Sequence, residues 1–527
     1  MMLALLAGPM GAAQSAAWQP DRGDGTYRNP VLQADYSDPD VVRVGDDYWL
    51  TASSFSHVPG LPILHSKDLV NWELVNHALP RLVPEEAFAT PQHGKGVWAP
   101  AIRFHADKFW IYYPDPDFGI YVVTATDPRG EWSKPVLVKG GRGLIDPCPL
   151  WDDDGKLYLI HGWANSRANV KNVLTLLELN ADGTKVIDDF GYVINGDKLR
   201  GYTTLEGPKL YKRDGWYYVF APAGGVSTGW QSVFRAKDIR GPYEDRIVMD
   251  QGRTPVNGPH QGAWVDTPAG ADWFLHFQDQ DAYGRVVHLQ PMTWKDGWPV
   301  IGEDPDGDGK GQPVLVHAKP ALPGQPRAVP PTSDEFDAPK LGLQWQWQAN
   351  PDPKWHSMDQ ERGALHLLGQ PRPDNNLYNA PNLLLQKFQA REFSATTQVH
   401  ILTRAAGDTA GLVVFGSDYA WIGLRRDGRG TKIFLGVVRN ANEKPQFDES
   451  AVVDLPSTPV QLRVEVRAGG ICRFAYSVDG HEFIQAGPEF KATVGRWVGA
   501  KVGLFATGAP GMFAEFDWFR IGRLGAE

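Results

Sequence analysis

The chain contains short apolar segments in which every second residue is polar, separated by turns rich in aspartate and glycine. This alternation is typical of half-buried β-strands, and the 3.6-residue period of helices is weak in the N-terminal half. Five segments share one plan: a polar or tryptophan residue beside proline or glycine, an apolar strand, a turn, and a strand dense in aromatic residues. They recur every 49 to 61 residues and begin at Asp35, Gly96, Ile145, Leu205 and Pro259. Because this period suits β-propeller blades of about four strands, we predict an all-β fold with a five-bladed propeller over residues 27–316.

The repeat ends at a proline-rich stretch, and a different pattern follows it. Residues 317–332 hold five prolines, a composition that stiffens a chain, so we predict a linker there. Residues 333–527 contain alternating segments such as "VQLRVEVRAGGICRFAYSVDG", which indicate antiparallel strands with one apolar face. We predict a β-sandwich for this region.

The residues that open the five repeats are expected to meet at one end of the propeller channel, because the first strand of each blade lies innermost. They are Asp38, Trp98, Asp146, Glu206 and His260. Three carboxylates brought together raise one another's pKa and lose hydration, which proteins tolerate mainly where chemistry requires it. One such residue alone would be interpreted as a turn cap. Three at equivalent positions of a radial repeat favour a catalytic site.

Charge and composition exclude several classes of function. The net charge is −10 and the acidic residues are scattered, which argues against a nucleic-acid-binding surface. No apolar stretch reaches the roughly 18 to 20 residues of a membrane span. The two cysteines, Cys148 and Cys472, fall in different predicted domains, so we expect both to be free thiols. The 20 tryptophans suit a protein that stacks on sugar rings, although packing alone accounts for most of them.

The N-terminus resembles an export signal. Residues 1–17 contain a short apolar core followed by small residues near Ser15 to Ala17, but no basic segment precedes the core. We expect an exported protein, periplasmic or extracellular. A cytoplasmic protein with a disordered leader is the alternative.

Three stretches around the carboxylates resemble the catalytic motifs of glycoside hydrolase family 43, five-bladed propeller enzymes that act largely on xylan and arabinan side chains and oligosaccharides. They are "YSDPDVVRVGDDYW" with Asp38, "LIDPCPLWDDDGKLYL" with Asp146 and "LEGPKLYKRDGWYYVF" with Glu206. The resemblance implies that Asp38 is the general base and Glu206 the general acid, and that Asp146 orients the acid and modulates its pKa. Residues 333–527 resemble the concanavalin-like C-terminal domain of the family's β-xylosidases.

The chemistry of an inverting glycosidase requires this set of groups. One carboxylate takes a proton from water and one protonated carboxyl donates a proton to the leaving oxygen. The two groups stand roughly 6.5 to 9.5 Å apart, so that a water fits beneath the anomeric carbon. Two blades on either side of a channel supply such a gap.

Several side chains near the same end of the channel are predicted to hold the sugar. Phe55, His57, Trp98 and Trp163 are each placed to touch a pentose, with packing between blades as the alternative for each. Arg285 resembles the family's arginine that binds sugar hydroxyls, and its five donors suit that role. A salt bridge elsewhere in the fold is the alternative for Arg285.

His260 has two interpretations. The resemblance implies that an equivalent histidine binds a calcium or other ion in some family members and only water in others. A lone imidazole is not a calcium site by its chemistry, because hard cations prefer oxygen ligands. A calcium ion in the channel therefore stays open at this point.

These observations predict an exo-acting inverting glycosidase that requires no cofactor and releases xylose or α-L-arabinofuranose from xylan-derived or arabinoxylan-derived oligosaccharides. The two pentoses present similar hydroxyl groups to a small pocket, so both activities stay open. A non-catalytic carbohydrate-binding propeller, a lectin, is the alternative, and it would be expected to lack at least one of the carboxylates. A scaffold for protein partners would need no convergent acids. The sequence leaves the linkage preference and the oligomeric state open.

Overall fold

The computed structural model describes residues 16–403, 405–427, 430–455 and 459–525. Residues 1–15 of the predicted leader lie outside this part of the chain. The regular structure is almost entirely β, in five four-stranded sheets, two seven-stranded sheets and one two-stranded ribbon. The predicted propeller followed by a β-sandwich is confirmed.

Each propeller blade is an antiparallel meander whose four strands follow one another along the chain. A short strand, β1 (Thr26–Arg28), precedes the blades. From the first blade to the fifth, the strands are β2 (Asp40–Val44), β3 (Asp47–Thr51), β4 (Gly60–Ser66) and β5 (Glu73–Leu79); β6 (Ala101–His105), β7 (Lys108–Asp115), β8 (Gly119–Ala125) and β9 (Val136–Gly140); β10 (Leu144–Trp151), β11 (Leu157–Trp163), β12 (Val173–Leu179) and β13 (Val186–Asn195); β14 (Lys209–Arg213), β15 (Trp216–Ala223), β16 (Trp230–Ala236) and β17 (Glu244–Met249); β18 (His260–Asp266), β19 (Asp272–Asp279), β20 (Arg285–Lys295) and β21 (Trp298–Ile301).

The first strands of the blades surround the channel. Strand β2 contacts β6 and β18, and β10 contacts β6 and β14. The ring is tied between its ends by the segment before blade 1, since Leu32 and Val287 of β20 exchange two backbone hydrogen bonds. This arrangement brings the first residues of β10 and the residues just before β2 and β14 to one mouth of the channel.

The proline-rich segment does not stand free of the propeller. Its first residues belong to β22 (Val316–Ala318), which pairs with β1. Lys319 then forms ion pairs with Asp21 at 2.7 Å and with Asp68 at 2.9 Å. The segment predicted as a linker is therefore held along blade 1 by paired charges as well as by its prolines.

The C-terminal domain consists of two packed antiparallel sheets. One has the order β23-β26-β35-β28-β29-β30-β31 and the other β24-β25-β36-β27-β32-β33-β34. Alternating side chains of both sheets fill the core between them, as in β32, where every second residue is buried. The strands are β23 (Gln346–Trp347), β24 (His356–Asp359), β25 (Ala364–Leu368), β26 (Leu384–Lys387), β27 (Phe393–Ile401), β28 (Thr409–Phe415), β29 (Tyr419–Arg426), β30 (Thr431–Arg439), β31 (Gln446–Leu455), β32 (Val460–Arg467), β33 (Ile471–Ser477), β34 (Ile484–Lys491), β35 (Lys501–Thr507) and β36 (Phe513–Gly522).

The helices in the described residues are single turns. One is α-helical, α1 (Asn165–Ala168), and the others are 3-10 turns at Glu85–Phe88, Gly196–Lys198, Asp281–Tyr283, Pro353–Trp355, Pro373–Asn375, Leu377–Asn379 and Ala468–Gly470. In the ranges that the structure describes, none of them is long and apolar enough to cross a membrane. Cys148 and Cys472 are both free and buried, as expected.

The propeller and the sandwich pack directly against each other. Ala282, Tyr283 and Val286 of blade 5 belong to the same apolar cluster as the sandwich core. Val58 of blade 1 and Trp347 of β23 exchange two backbone hydrogen bonds, with N–O distances of 3.0 and 2.6 Å. The sandwich is therefore fixed on the side of the propeller where blades 1 and 5 meet.

Candidate active site

A cavity of about 240 Å³ opens at the mouth of the channel where the inner strands begin. It lies between the ends of several blades and a loop of the sandwich. Its walls are formed by Asp38, Phe55, Trp98, Ala99, Ile145, Asp146, Thr204, Glu206, Gly225, Val226, Gln261, Arg285 and Trp497. The structure thus brings Asp38, Asp146 and Glu206 together at one cavity, along with Phe55, Trp98 and Arg285.

Asp38 lies two residues before β2 and is surrounded by hydrogen-bond donors. Its Oδ2 accepts hydrogen bonds from the hydroxyls of Ser37 and Ser53, both at 2.6 Å. Nη1 of Arg285 lies 3.4 Å from each carboxylate oxygen. These contacts fix the orientation of a carboxylate that is only 4% exposed.

Asp146 is placed by a β-bulge. In the pairing of β10 with β11, Ile145 pairs with Gly162 and Cys148 with Ile160, so two residues of β10 lie opposite one residue of β11. The side chain is buried, and its Oδ2 accepts a hydrogen bond of 2.7 Å from the backbone N–H of Gly207. Burial, with the nearby charges of Glu206 and Asp38, raises the pKa of Asp146 well above its ordinary value. Asp146 therefore keeps a proton that an isolated aspartate would release.

Glu206 is the most accessible of the three acids, with 23% of its side chain exposed. Its Oε1 lies 3.0 Å from Nε2 of His260, the first residue of β18. The His260 ring is fully buried beside Phe277. The imidazole therefore holds one carboxylate oxygen of Glu206, a residue that also lines the cavity.

Six cavity-lining residues other than glycine have a positive φ, a conformation that L-residues rarely adopt. For Thr204, with φ +54°, the β-branched side chain makes it especially unfavourable. Such backbone strain persists only where the surroundings enforce it, and it clusters at functional sites. The six are Asp38, Phe55, Asp146, Thr204, Gln261 and Trp497. The cavity wall is therefore built at the expense of local backbone stability, which is expected of a preorganised site.

Two residues predicted to bind the sugar lie elsewhere. Trp163 ends β11 and does not line the cavity; its Nε1 donates to Oγ1 of Thr175 at 2.8 Å, and its ring packs against the apolar contact between blades 2 and 3. Nδ1 of His57 lies 3.2 Å from the carbonyl oxygen of Ser54. The ring lines a separate small cavity between the propeller and the sandwich. Trp163 thus packs between blades and is bonded to the adjacent strand β12, whereas His57 lies against the sandwich.

A tryptophan of the sandwich completes the cavity. Trp497 lies in the loop before β35, with its ring 6.1 Å from that of Trp98 in an edge-to-face arrangement. It remains 39% exposed, unusual for so large an aromatic side chain. A sequence signal did exist, since Trp497 stands between Gly495 and Gly499 outside any alternating strand. Its contact with Trp98, about 400 residues earlier in the chain, could not be predicted because it depends on how the two domains dock.

The surroundings of His260 do not fit a directly bound calcium ion. Calcium takes six to eight oxygen ligands, whereas Nε2 of His260 faces Glu206 and its buried Nδ1 has no partner in the part of the chain that the structure describes. Among the described residues, potential metal ligands converge instead at Asp359, His366 and Glu515 of the sandwich. There Arg362 already pairs with Glu515 at 3.1 Å.

Asp146→Asn is expected to stabilise the fold above about pH 4. The pKa of Asp146 is raised in the folded protein, so its carboxyl keeps a proton that an unfolded aspartate, with a pKa of about 3.9, releases. Stability falls as pH rises between those two pKa values, and a neutral amide removes that loss. We expect a gain of about 1 kcal/mol at neutral pH, measured by denaturant unfolding at several pH values. If the free energy of unfolding of variant and wild type changed in parallel with pH, the pKa of Asp146 would not be raised in the folded protein.

The acids at this small cavity edged by aromatic rings are the groups that glycoside hydrolysis requires. The profile of Glycosyl hydrolases family 43 matches residues 27–299, and that of the Beta xylosidase C-terminal Concanavalin A-like domain matches residues 333–522. The chain belongs to glycosyl hydrolase family 43.

Similar proteins match over nearly the whole chain. A putative beta-xylosidase of Xylanibacter ruminicola is 39% identical, over 92% of this chain and 87% of the relative. A non-reducing end alpha-L-arabinofuranosidase of Bacteroides ovatus is 28% identical, over 94% of both chains. The crystal structure of xylan beta-1,4-xylosidase from Bacillus halodurans C-125 superposes with a TM-score of 0.82 at 26% identity, covering 94% of this chain and all of that one. The two sequence relatives therefore match across both domains, and the structure of the Bacillus halodurans enzyme shares the fold of both.

Proposed function

We propose that the protein is an exo-acting, inverting glycosidase that removes single pentose units, D-xylose or L-arabinofuranose, from xylan-derived oligosaccharides. The carrying observation is the small cavity with three acids and the aromatic residues Trp98 and Trp497 in its wall. Its volume of about 240 Å³ is below the range of about 300 to 1,000 Å³ that holds drug-sized ligands. A cavity of this size suits one sugar ring, which favours release of terminal units.

In the proposed reaction, Asp38 takes a proton from a water that attacks the anomeric carbon. Glu206 donates a proton to the departing oxygen on the other face of the sugar. The donor contacts from Ser37, Ser53 and Arg285 support the first role, because they orient the Asp38 carboxylate. The second role is supported by the accessibility of Glu206 at the cavity, beside the carboxyl group of Asp146.

The sugar is proposed to lie between aromatic rings and polar groups of the cavity. Phe55, Trp98 and Trp497 form one aromatic wall, with ring centroids 6.3 Å apart for Phe55 and Trp98 and 6.1 Å apart for Trp98 and Trp497. Arg285, whose guanidinium reaches the Asp38 carboxylate, is placed to donate to a sugar hydroxyl as well. Similarity to beta-xylosidases supports xylose as the sugar that is released, and similarity to an arabinofuranosidase supports L-arabinofuranose.

The proposed reaction requires no cofactor, because water is the second substrate and both proton-transfer groups are carboxyls. An ion near His260 stays a prediction, and no step depends on one. Export from the cytoplasm is likewise proposed from the leader at residues 1–17.

Release assays test the proposal directly. We expect hydrolysis of 4-nitrophenyl β-D-xylopyranoside and 4-nitrophenyl α-L-arabinofuranoside, and release of α-xylose as the first anomer from xylobiose, followed by NMR before mutarotation. Retention of the β-anomer would overturn the inverting mechanism. Binding of xylobiose without hydrolysis would favour the lectin alternative.

A further inference from the structure

Asp35, three residues before Asp38, links three parts of the molecule through one buried carboxylate. Its Oδ1 accepts a hydrogen bond from the backbone N–H of Arg285 at 3.0 Å. Its Oδ2 accepts one from the backbone N–H of Gly499 at 2.9 Å. Asp35 is 4% exposed, so losing either bond would leave a buried polar group without its partner.

The two backbone segments that Asp35 holds also touch each other. A Cβ added to Gly499 would lie 2.7 Å from the backbone nitrogen of Gly284, and one added to Gly284 would lie 2.6 Å from that of Gly499. The next residue, Ala500, donates its N–H to the carbonyl of Ala282 at 2.7 Å. Blade 5 and the sandwich loop therefore meet backbone to backbone, where no side chain fits between them.

Each segment leads directly to a wall of the cavity. The side chain of Arg285 reaches the proposed base, Asp38. Its Nη1 donates to Oγ of Ser37 at 2.8 Å and lies 3.4 Å from a carboxylate oxygen of Asp38. Gly499 lies two residues after Trp497, whose ring faces Trp98. One carboxylate thus stands between the group that orients the base and the aromatic residue that the sandwich contributes.

The charge of Asp35 also matters to the sandwich. Lys387 and Lys501 pair directly with each other across β26 and β35. Burial lowers the pKa of both ammonium groups, and Asp35 is the carboxylate that opposes this shift in each. Replacing Asp35 by a neutral residue would leave two neighbouring amines, of which Lys501 is buried, without this opposite charge.

We propose that Asp35 is a positioning residue that couples docking of the sandwich to the geometry of the cavity: it fixes the Trp497 loop and the Arg285 backbone at the same time. This inference rests on the proposed glycosidase activity for its kinetic consequences. Its structural part, the coupling of the loop to blade 5, is independent of substrate.

The first test is kinetic and uses Asp35→Asn in the full-length protein. One amide oxygen still accepts a hydrogen bond, but the NH2 group faces the other backbone donor. We expect kcat/KM on 4-nitrophenyl β-D-xylopyranoside to fall about 10- to 100-fold, because small displacements of positioning groups have effects of that size. Asp68→Asn is the matched control, since Asp68 is a buried carboxylate of blade 1 that accepts backbone N–H groups and faces Lys319. A kcat/KM of Asp35→Asn equal to that of Asp68→Asn would overturn the proposal.

A double-mutant cycle separates positioning from general loss of stability. If the proposal is correct, Asp35→Asn raises KM because it displaces Trp497, and it lowers kcat because it displaces Arg285 and therefore Asp38. Asp35→Asn should therefore raise KM several-fold in the wild-type background and hardly at all in Trp497→Ala, while kcat falls in both. Equal factors for KM in the two backgrounds would show that Asp35 does not act through the loop.

Hydrogen exchange measured by mass spectrometry gives a readout that needs no substrate. Asp35→Asn should speed exchange in residues 282–286 and 494–500 together, and Asp68→Asn should leave both segments unchanged. Faster exchange in one segment only, or in neither, would overturn the coupling. If the wild-type protein hydrolyses no pentoside, the proposed function fails, and the exchange data still decide whether Asp35 joins the two segments.

Discussion

The Asp38→Asn variant is expected to fold normally, to bind xylobiose, and to lose about 10²- to 10⁴-fold of kcat, the usual effect of removing a general base. Asparagine is nearly isosteric, and its carbonyl oxygen can keep a hydrogen bond from Ser37 or Ser53. The amide cannot take a proton from the attacking water. KM should change little, because the loss concerns the chemical step rather than ground-state binding.

Asp46→Asn is a suitable control for this variant. Asp46 lies in the exposed turn of the same hairpin, between β2 and β3. Its replacement by asparagine removes the same charge from the same blade. It should keep wild-type kinetics. An Asp38→Asn enzyme with a near-wild-type kcat would eliminate Asp38 as the base, provided that calorimetry confirms that both variants are folded.

Glu206→Gln is expected to lose most of its activity on xylobiose and to retain part of its rate on a dinitrophenyl xyloside. A general acid protonates the departing oxygen, so its loss harms poor leaving groups most and activated ones least. The alkaline limb of the pH–rate profile should also flatten, because it reports the proton that the acid donates.

Asp146→Asn provides the comparison for Glu206→Gln. A second carboxyl beside a general acid favours the acid's protonated form once that second carboxyl is ionised, so Asp146→Asn should move the alkaline limb to lower pH without the same dependence on the leaving group. If Glu206→Gln slows both substrates by one common factor, Glu206 is not the proton donor and the roles of the acids must be reassigned.

Much of the fold could be predicted because its signals are local. The alternation of each blade and the aspartate- and glycine-rich turns specify hairpins within a few tens of residues, and their repetition gives the radial order. The placement of residues 317–332 could not be predicted in the same way. Lys319 reaches Asp21 and Asp68 across nearly the full length of the propeller sequence, and composition alone does not encode such pairing.

In the candidate site, too, the residues specified by the repeat could be predicted, and those placed by packing could not. Asp38, Asp146 and Glu206 follow from equivalent positions in a repeat, so knowing the repeat brings them together. Side chains further along a strand are decided by packing instead. Trp163 lies only one residue from Gly162, which pairs with Ile145 beside Asp146, yet its indole bonds Thr175 and turns into the contact between blades.

The contribution of Trp497 has a consequence for biosynthesis. Domains fold as units and in order during translation, N-terminal first, so the propeller can assemble its three acids while the sandwich is still being synthesised. Trp497 follows the last blade strand, which ends at Ile301, by almost the whole second domain. A nascent chain therefore holds its acids in an open channel mouth and acquires the closed pocket only when β35 has paired and the sandwich has docked. Catalytic activity would thus appear only when folding is complete, and incompletely synthesised chains would not hydrolyse sugars.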